Sequence, residues 1–135
     1  MSRVNGRPRR RWLLIAVVAL PFVSCSACYG YHSWWWAGAE GAVRTSVSAT
    51  AAGSVPDGMA VRIDSTAALR PSVDFRLPYT VQGADNFLSG TSLSDLLSPG
   101  VWVAHLRFSN GHVYHAEARR DEGVWVVDIG PAEGE

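Results

Sequence analysis

The sequence predicts an N-terminal transmembrane helix followed by a small, mainly β extracytoplasmic domain (antiparallel, α+β) that ends in a three-stranded meander. Three observations lead to this prediction. An uncharged apolar run follows a cluster of arginines, apolar and charged residues alternate farther along the chain, and an Asn-Gly pair separates two apolar runs near the C-terminus. With 135 residues, the chain has room for one domain beyond the apolar run.

Positive charge is concentrated at the N-terminus. The predicted basic leader, residues 1–11, contains five of the twelve arginines, and the sequence has no lysine. The part from Glu40 onward contains all twelve acidic residues and seven arginines, which leaves it five charges negative. An acidic domain repels phosphate groups, so we expect no nucleic-acid partner.

The apolar run is predicted to be a transmembrane signal anchor over residues 12–36, and it has no formally charged residue when His32 is neutral. Its core from Leu13 to His32 has the length of about 20 residues that a helix needs to cross a bilayer. Because lipid offers no hydrogen-bond partners to the backbone, a helix is the expected conformation. Pro21 removes one helical hydrogen bond, and a kink is expected there.

Charge and aromatic residues on either side of the run predict its orientation. Arginines directly before the run hold the N-terminus in the cytoplasm, and we expect a single-pass protein of the cell membrane bound to lipid through this helix. Tryptophans after the run fit an aromatic belt at the outer membrane interface, with packing against a soluble core as the alternative. The residues concerned are Arg9, Arg10 and Arg11 before the run and Trp34, Trp35 and Trp36 after it.

Three processing outcomes are compatible with the run: a retained anchor, a lipoprotein and a cleaved signal peptide. The segment Phe22-Val23-Ser24-Cys25 resembles a bacterial lipobox, which implies lipidation of Cys25, although leucine is usual where Phe22 stands. Ala37-Gly38-Ala39 has the small-residue form of a cleavage site. All three outcomes leave residues 40–135 outside the cytoplasm.

The two cysteines, Cys25 and Cys28, have the spacing of a redox C-x-x-C pair. They lie near the end of the apolar run instead of at the start of a helix in a globular domain, where such a pair has a lowered thiolate pKa. We expect them to be small apolar side chains of the helix. The outer domain has no cysteine and therefore no disulfide.

Residues 37–58 are rich in Ser, Ala, Thr and Gly, and we expect a linker there. The β-rich domain is predicted over residues 59–131, followed by an acidic tail, residues 132–135. Within the domain, alternation predicts strands at 60–64 and 73–77, and 79–81 as a continuation of the second. Residues 92–97 are predicted to form a short helix, and the meander strands are 101–108, 112–118 and 124–129.

The end of the meander, Val124-Trp125-Val126-Val127-Asp128, resembles the last strands of cystatin-like and nuclear-transport-factor-like extracytoplasmic domains. That resemblance implies a long helix ahead of the strands. The sequence predicts no such helix within the domain, so we assign no family. Trp102 and Trp125 are predicted to be core aromatics, with an exposed aromatic patch as the alternative.

Three histidines, His105, His112 and His115, lie in the first meander hairpin. A two-residue Asn110-Gly111 turn would place His105 and His112 on one face of the hairpin and His115 on the other. Three ligands cannot meet at one ion in this register, although a bulge or a three-residue loop would change it, and we expect no metal site and no cofactor. Asp64 and Asp74 alternate with apolar residues and are expected to face solvent.

The sequence contains no Gly-x-Ser-x-Gly, P-loop or dinucleotide-binding motif. The leading hypothesis is therefore a non-enzymatic binding or accessory component of the cell envelope. A domain of this size buries little surface, which favours an envelope protein partner or self-association. The alternatives are a small envelope hydrolase or metal-dependent enzyme that uses His105, His112 or His115, and a surface lipoprotein lipidated at Cys25.

Overall fold

The computed structural model describes residues 7–64, 70–87 and 100–133, with only the backbone for residues 7–10 and 87. The chain divides into two compact units, Met1–Trp34 and Trp35–Glu135. The helix predicted at residues 92–97 lies outside the described residues. In chain order the elements are α1 Arg7–Ala52, β1 Met59–Ile63, α2 Pro71–Asp74, β2 Tyr79–Phe87, β3 Val101–Phe108, β4 Val113–Asp121 and β5 Val124–Pro131.

The first unit contains the apolar part of α1, which we call the apolar segment, residues 12–34. The large side chains of residues 12–23 are exposed on all sides of the helix, between 57% at Ile15 and 72% at Phe22. One helix in the described part of the chain, near the N-terminus, has the length and composition needed to cross a membrane. Pro21 lies inside this helix, as the sequence predicts.

The second unit is built on a five-stranded sheet with the order β1-β5-β4-β3-β2. Strands β2 to β5 are antiparallel neighbours, whereas β1 pairs in parallel with β5. The prediction of an antiparallel sheet ending in a three-stranded meander is therefore wrong: the sheet is mixed, and its antiparallel run has four strands. The alternation of apolar and polar residues identifies a buried face, but it carries no information on the direction of the neighbouring strand.

The last part of α1, residues 35–52, covers one face of the sheet, and we call it the packing segment. Its buried positions recur at the spacing of one helix face: Trp35, Ala39, Ala42, Val43, Ser46 and Val47. The predicted linker over residues 37–58 is therefore wrong for residues 37–52, which are helical. Its residues are small and weakly polar, but their helical spacing allows a close approach to the sheet.

Three contacts fix the packing segment on the sheet. The Trp35 and Trp125 rings lie 5.7 Å apart, and the Ser46 hydroxyl lies 3.1 Å from the Met59 sulfur. The Arg44 guanidinium lies over the Tyr79 ring at 5.7 Å. Trp102 on β3 is buried at 3% exposure and Trp125 packs against the core, so the prediction that both are core aromatics is confirmed.

The second predicted strand, residues 73–77, is wrong. Pro71 opens the short helix α2, and a turn follows it, with Leu77 N–H donating to the Asp74 carbonyl at 2.9 Å. Proline is favoured in the first turn of a helix because it has no N–H to satisfy. Strand β2 begins after this turn, at Tyr79.

The β3–β4 hairpin closes with a three-residue loop, Ser109-Asn110-Gly111, and not with the predicted two-residue turn. Phe108 N–H donates to the His112 carbonyl at 2.9 Å, and Gly111 N–H donates to the Phe108 carbonyl at 3.0 Å. Gly111 has φ +92°, a conformation that residues with a side chain rarely adopt. The extra loop residue shifts the register by one, which turns the face of every β4 side chain relative to β3.

Candidate functional site

The sheet has two faces with different chemistry. The inner face is apolar and packs against α1, whereas the face opposite the packing segment, which we call the outer face, is rich in titratable groups. Because side chains alternate along a strand, the register sets which groups meet there. Titratable residues on the outer face include Arg62, His105, His115, Glu117 and Asp128.

His105 on β3 and His115 on β4 are directly opposite each other. Counting from the hydrogen-bonded Phe108–His112 pair, they occupy a non-hydrogen-bonded position, where opposing side chains come closest. Their ring centroids are 5.4 Å apart with an interplanar angle of 58°. The predicted register, which put these two histidines on different faces, is wrong because of the three-residue loop.

Glu117 lies two residues beyond His115 on the same face of β4. The Nε2 atom of His115 is 3.1 Å from Glu117 Oε1. An ionised carboxylate only accepts hydrogen bonds, so Nε2 carries the proton of a neutral His115 and Nδ1 keeps its lone pair. This contact favours one orientation of the His115 ring and, when that ring is neutral, the tautomer that is protonated at Nε2.

Asp128 on β5 is flanked by two arginines on neighbouring strands. It pairs with Arg62 in the β1–β5 register, and Arg119 Nη1 donates to its carboxylate at 2.9 Å. Both members of the Arg119–Asp128 ion pair are about one-third exposed, so its contribution to stability is small. Its main effect is to hold the Arg119 guanidinium and the Asp128 carboxylate in fixed positions on the outer face.

Gly130 opens a groove in this face because it places no side chain between its neighbours. It pairs with His115 across β4–β5, and its missing side chain would point toward Asp64, 3.7 Å from that residue's Cβ. Two adjoining cavities result. One, of about 300 Å³, lies between Arg62, Asp64 and His115, and the other, of about 490 Å³, lies beside His105 and Glu133.

A separate polar cluster joins α2 to the β3–β4 hairpin. Asp74 is 2% exposed, and its carboxylate accepts hydrogen bonds from the Tyr114 hydroxyl and the Asn110 amide. His112 Nδ1 lies 2.9 Å from the same carboxylate. The prediction of a solvent-facing Asp74 is therefore wrong, because α2 turns this side chain inward.

The Asp74 cluster sets the ionisation of its members. Burial alone would raise the pKa of the Asp74 carboxyl, but hydrogen bonds from Tyr114, His112 and Asn110 outweigh it and leave that pKa below its ordinary value. Burial and the neighbouring Asp74 carboxylate raise the pKa of the Tyr114 hydroxyl. Asp74 is thus a charged anchor for the hairpin at neutral pH, and His112 is held on the opposite side of the sheet from His115.

The three tryptophans predicted at a membrane interface differ in their surroundings. Trp35 is 2% exposed and packs in the core of the sheet unit, so its side chain is a core group. Trp34 is 64% exposed and Trp36 is 43% exposed. The interface role therefore stays a prediction for Trp34 and Trp36.

The other predicted site residues lie along the first part of α1. Arg9 and Arg10 lie in its first turn, Arg11 follows them, and Cys25 is exposed on the helix as a free thiol. Their roles in topology and lipidation stay predictions. The sequence prediction missed the His105–His115 pair and the Asp74 cluster. The signal for the pair was Ser109-Asn110-Gly111, which is also compatible with a three-residue loop, and the signal for the cluster was Pro71, which favours the first turn of a helix.

Compared with known proteins, the chain matches no protein-family model, no curated protein sequence and no solved structure.

Proposed function

We propose that this chain is a single-pass, membrane-anchored binding protein that presents the outer face of its sheet unit to a partner outside the cytoplasm. The observation that carries the proposal is the contrast in burial along α1. The large side chains of residues 12–23 have no protein partner in the described structure, whereas the sheet unit buries its own apolar core.

Lipid is the environment that such a helix requires. The exposed apolar surface extends around the whole circumference of the segment, which is typical of a membrane span and not of one face docked on a protein. The arginines at positions 9 to 11 favour a cytoplasmic N-terminus. This orientation puts the sheet unit outside.

The outer face supports a binding role. Its groups are polar and of both signs, they lie on a rigid sheet, and the Gly130 groove provides a concave surface beside the two histidines. Strands hold side chains in a defined geometry, as a binding site requires, whereas polar groups that only keep a protein soluble need no fixed arrangement. A soluble envelope partner or a second copy of the chain would meet this face.

The membrane orientation can be tested by labelling with a membrane-impermeant maleimide in intact cells. The background is the full chain with Cys25→Ser and Cys28→Ser. We expect Ser109→Cys in the hairpin loop to be labelled in intact cells, and Asn5→Cys in the leader to be labelled after lysis. The reverse pattern would overturn the orientation. Mass spectrometry of the native N-terminus tests the lipoprotein alternative, because a lipidated Cys25 would begin the mature chain.

The binding role can be tested by photo-crosslinking from the outer face in native membranes. Val103 pairs with Glu117 and lies on the outer face, and a photoreactive amino acid in its place should yield one discrete crosslinked species. The mass of that species separates a second copy from a different protein. The same group in place of Thr45, on the exposed side of the packing segment, is the matched control. Equal products from both positions, or none from Val103, would contradict a binding role for this face.

A further inference from the structure

We propose that His105 and His115 form a binding site for a divalent transition-metal ion of the kind that imidazole prefers, such as Zn²⁺. This inference rests on the proposed binding role of the outer face and names a ligand for it. The titration described below does not require a membrane or a partner protein, so it can fail independently of the labelling and crosslinking experiments.

The geometry of the histidine pair carries the inference. Two imidazoles on one tetrahedral Zn²⁺, with Zn–N bonds of about 2.0–2.1 Å, have ring centres about 5 Å apart. The His105 and His115 ring centroids are 5.4 Å apart, on strands whose backbone hydrogen bonds fix the spacing. The separation of the two rings therefore matches that of two imidazoles bound to one ion.

Glu117 supplies the support that metal-binding histidines commonly have. It accepts a hydrogen bond from His115 Nε2 at 3.1 Å and leaves the Nδ1 lone pair for a metal. Glu117 is therefore a positioning residue for His115. The His105 ring makes no hydrogen bond to the described residues, so no competing partner there holds its nitrogens.

The surroundings leave room for the ion and for further ligands. A cavity of about 490 Å³ is lined by both histidines, Glu117 and Glu133, and the two carboxylates favour a cation. The described residues contain no ready group of three His, Cys, Asp or Glu ligands, so water or a partner group completes the coordination.

The test is calorimetric titration of the full chain with Zn²⁺ in detergent micelles. Cys25→Ser and Cys28→Ser remove competing thiols. We expect one Zn²⁺ per chain, and a loss of affinity of about tenfold or more in His105→Gln and in His115→Gln. His112→Gln, at a histidine on the opposite side of the sheet, is the matched control and should leave the affinity unchanged.

Two further measurements separate metal binding from loss of fold. Zn²⁺ should raise the unfolding temperature of the parent chain and of His112→Gln, but not that of His105→Gln or His115→Gln. Glu117→Gln should weaken binding about tenfold at unchanged stoichiometry, and binding should be weaker at about pH 5 than at about pH 7.5 because protons compete for imidazole. The inference is overturned if the parent chain shows no saturable binding, or if His112→Gln loses as much affinity as the pair variants.

Discussion

The apolar segment and the packing segment of α1 use hydrophobic residues in opposite ways. The first half of the apolar segment, residues 12–23, is rich in Leu, Val and Ile, and those side chains are exposed all around the helix. The side chains of the packing segment are smaller and more polar on average, yet residues such as Val43 and Val47 are almost completely buried. Mean hydropathy therefore identifies the first segment, and spacing identifies the second.

The difference shows that a helix joins a protein core through the arrangement of its apolar residues more than through their number. A stripe of Ala, Val and Ser lets the helix backbone approach the sheet, and one tryptophan fills the remaining space at its start. The four predictions below test this contrast, from the largest expected effect to the smallest.

The first prediction concerns a charge in the buried stripe. Val43→Asp would bury a carboxylate without a partner and should lower the free energy of unfolding of the sheet unit by about 5 kcal/mol, enough to abolish cooperative unfolding. Thr45→Asp, on the exposed side of the same segment, is the control and should change it by less than about 0.5 kcal/mol. Urea unfolding followed by tryptophan fluorescence measures both. Equal effects would show that the stripe does not pack as described.

The second prediction separates the three neighbouring tryptophans. Trp35→Ala removes a ring that packs on Trp125 and should lower the free energy of unfolding of the sheet unit by about 4 kcal/mol. Trp34→Ala and Trp36→Ala remove exposed rings and should leave that free energy nearly unchanged. Thermal unfolding followed by circular dichroism checks all three. A large loss in Trp36→Ala would instead place that ring in the core.

The third prediction uses low pH. Low pH protonates carboxylates, and these occur only in the sheet unit because the sequence has no acidic residue before Glu40. The pKa of Asp74 is lowered by folding, so its stabilising effect is present above the ordinary carboxyl pKa of about 3.9 and is lost as the pH falls through the lower folded value. Asp74→Asn should cost about 2 kcal/mol at neutral pH and progressively less below about pH 4.

The control for this effect is Asp64→Asn, at an exposed carboxylate. Unfolding free energies of the parent and the two variants, measured across the acidic range, isolate the contribution of Asp74 from that of the other acids. An Asp74→Asn curve that runs parallel to the parent at every pH would show that the carboxylate does not titrate with folding.

The fourth prediction compares two glycines of the packing segment. Nothing lies within 4 Å of a Cβ added at Gly41, so Gly41→Ala should stabilise the helix by about 0.5–1 kcal/mol. A Cβ at Gly38 would lie 3.1 Å from the Trp125 ring, so Gly38→Ala should gain less or lose stability. Chemical unfolding of both variants measures the difference. A larger gain at Gly38 would contradict the close approach of helix and sheet.

The sequence indicates the features that depend on local pattern. Strands β1, β3 and β5 follow from alternation and turn residues, and the apolar segment follows from composition. The sequence did not identify the packing segment as a helix because Ser, Ala and Gly are also common in linkers. Only the spacing of its apolar residues distinguishes a packed helix from a linker. Strand direction for β1 depends on a partner more than sixty residues away, which no local pattern encodes.

The outer face illustrates how one residue of loop length controls a site. With a two-residue turn, His105 and His115 lie on different faces, and with the Ser109-Asn110-Gly111 loop they are opposed. Asn-Gly is compatible with both loops, so residue preferences alone do not decide between them. The burial of Asp74 was equally inaccessible, because its alternating neighbours fit a strand until Pro71 is seen to begin a helix.

The parallel pairing of β1 with β5 sets the order in which the sheet unit can be completed during synthesis. Met59 pairs with Trp125 and Ile63 with Ile129, so the first strand has no partner on its paired edge until the last strand is available. This is the longest loop that the sheet closes, and such long-range pairing is slow. A chain interrupted before β5 leaves β1 without its strand partner and leaves one edge of β4 open, so an incomplete domain exposes strand edges to proteases and to aggregation.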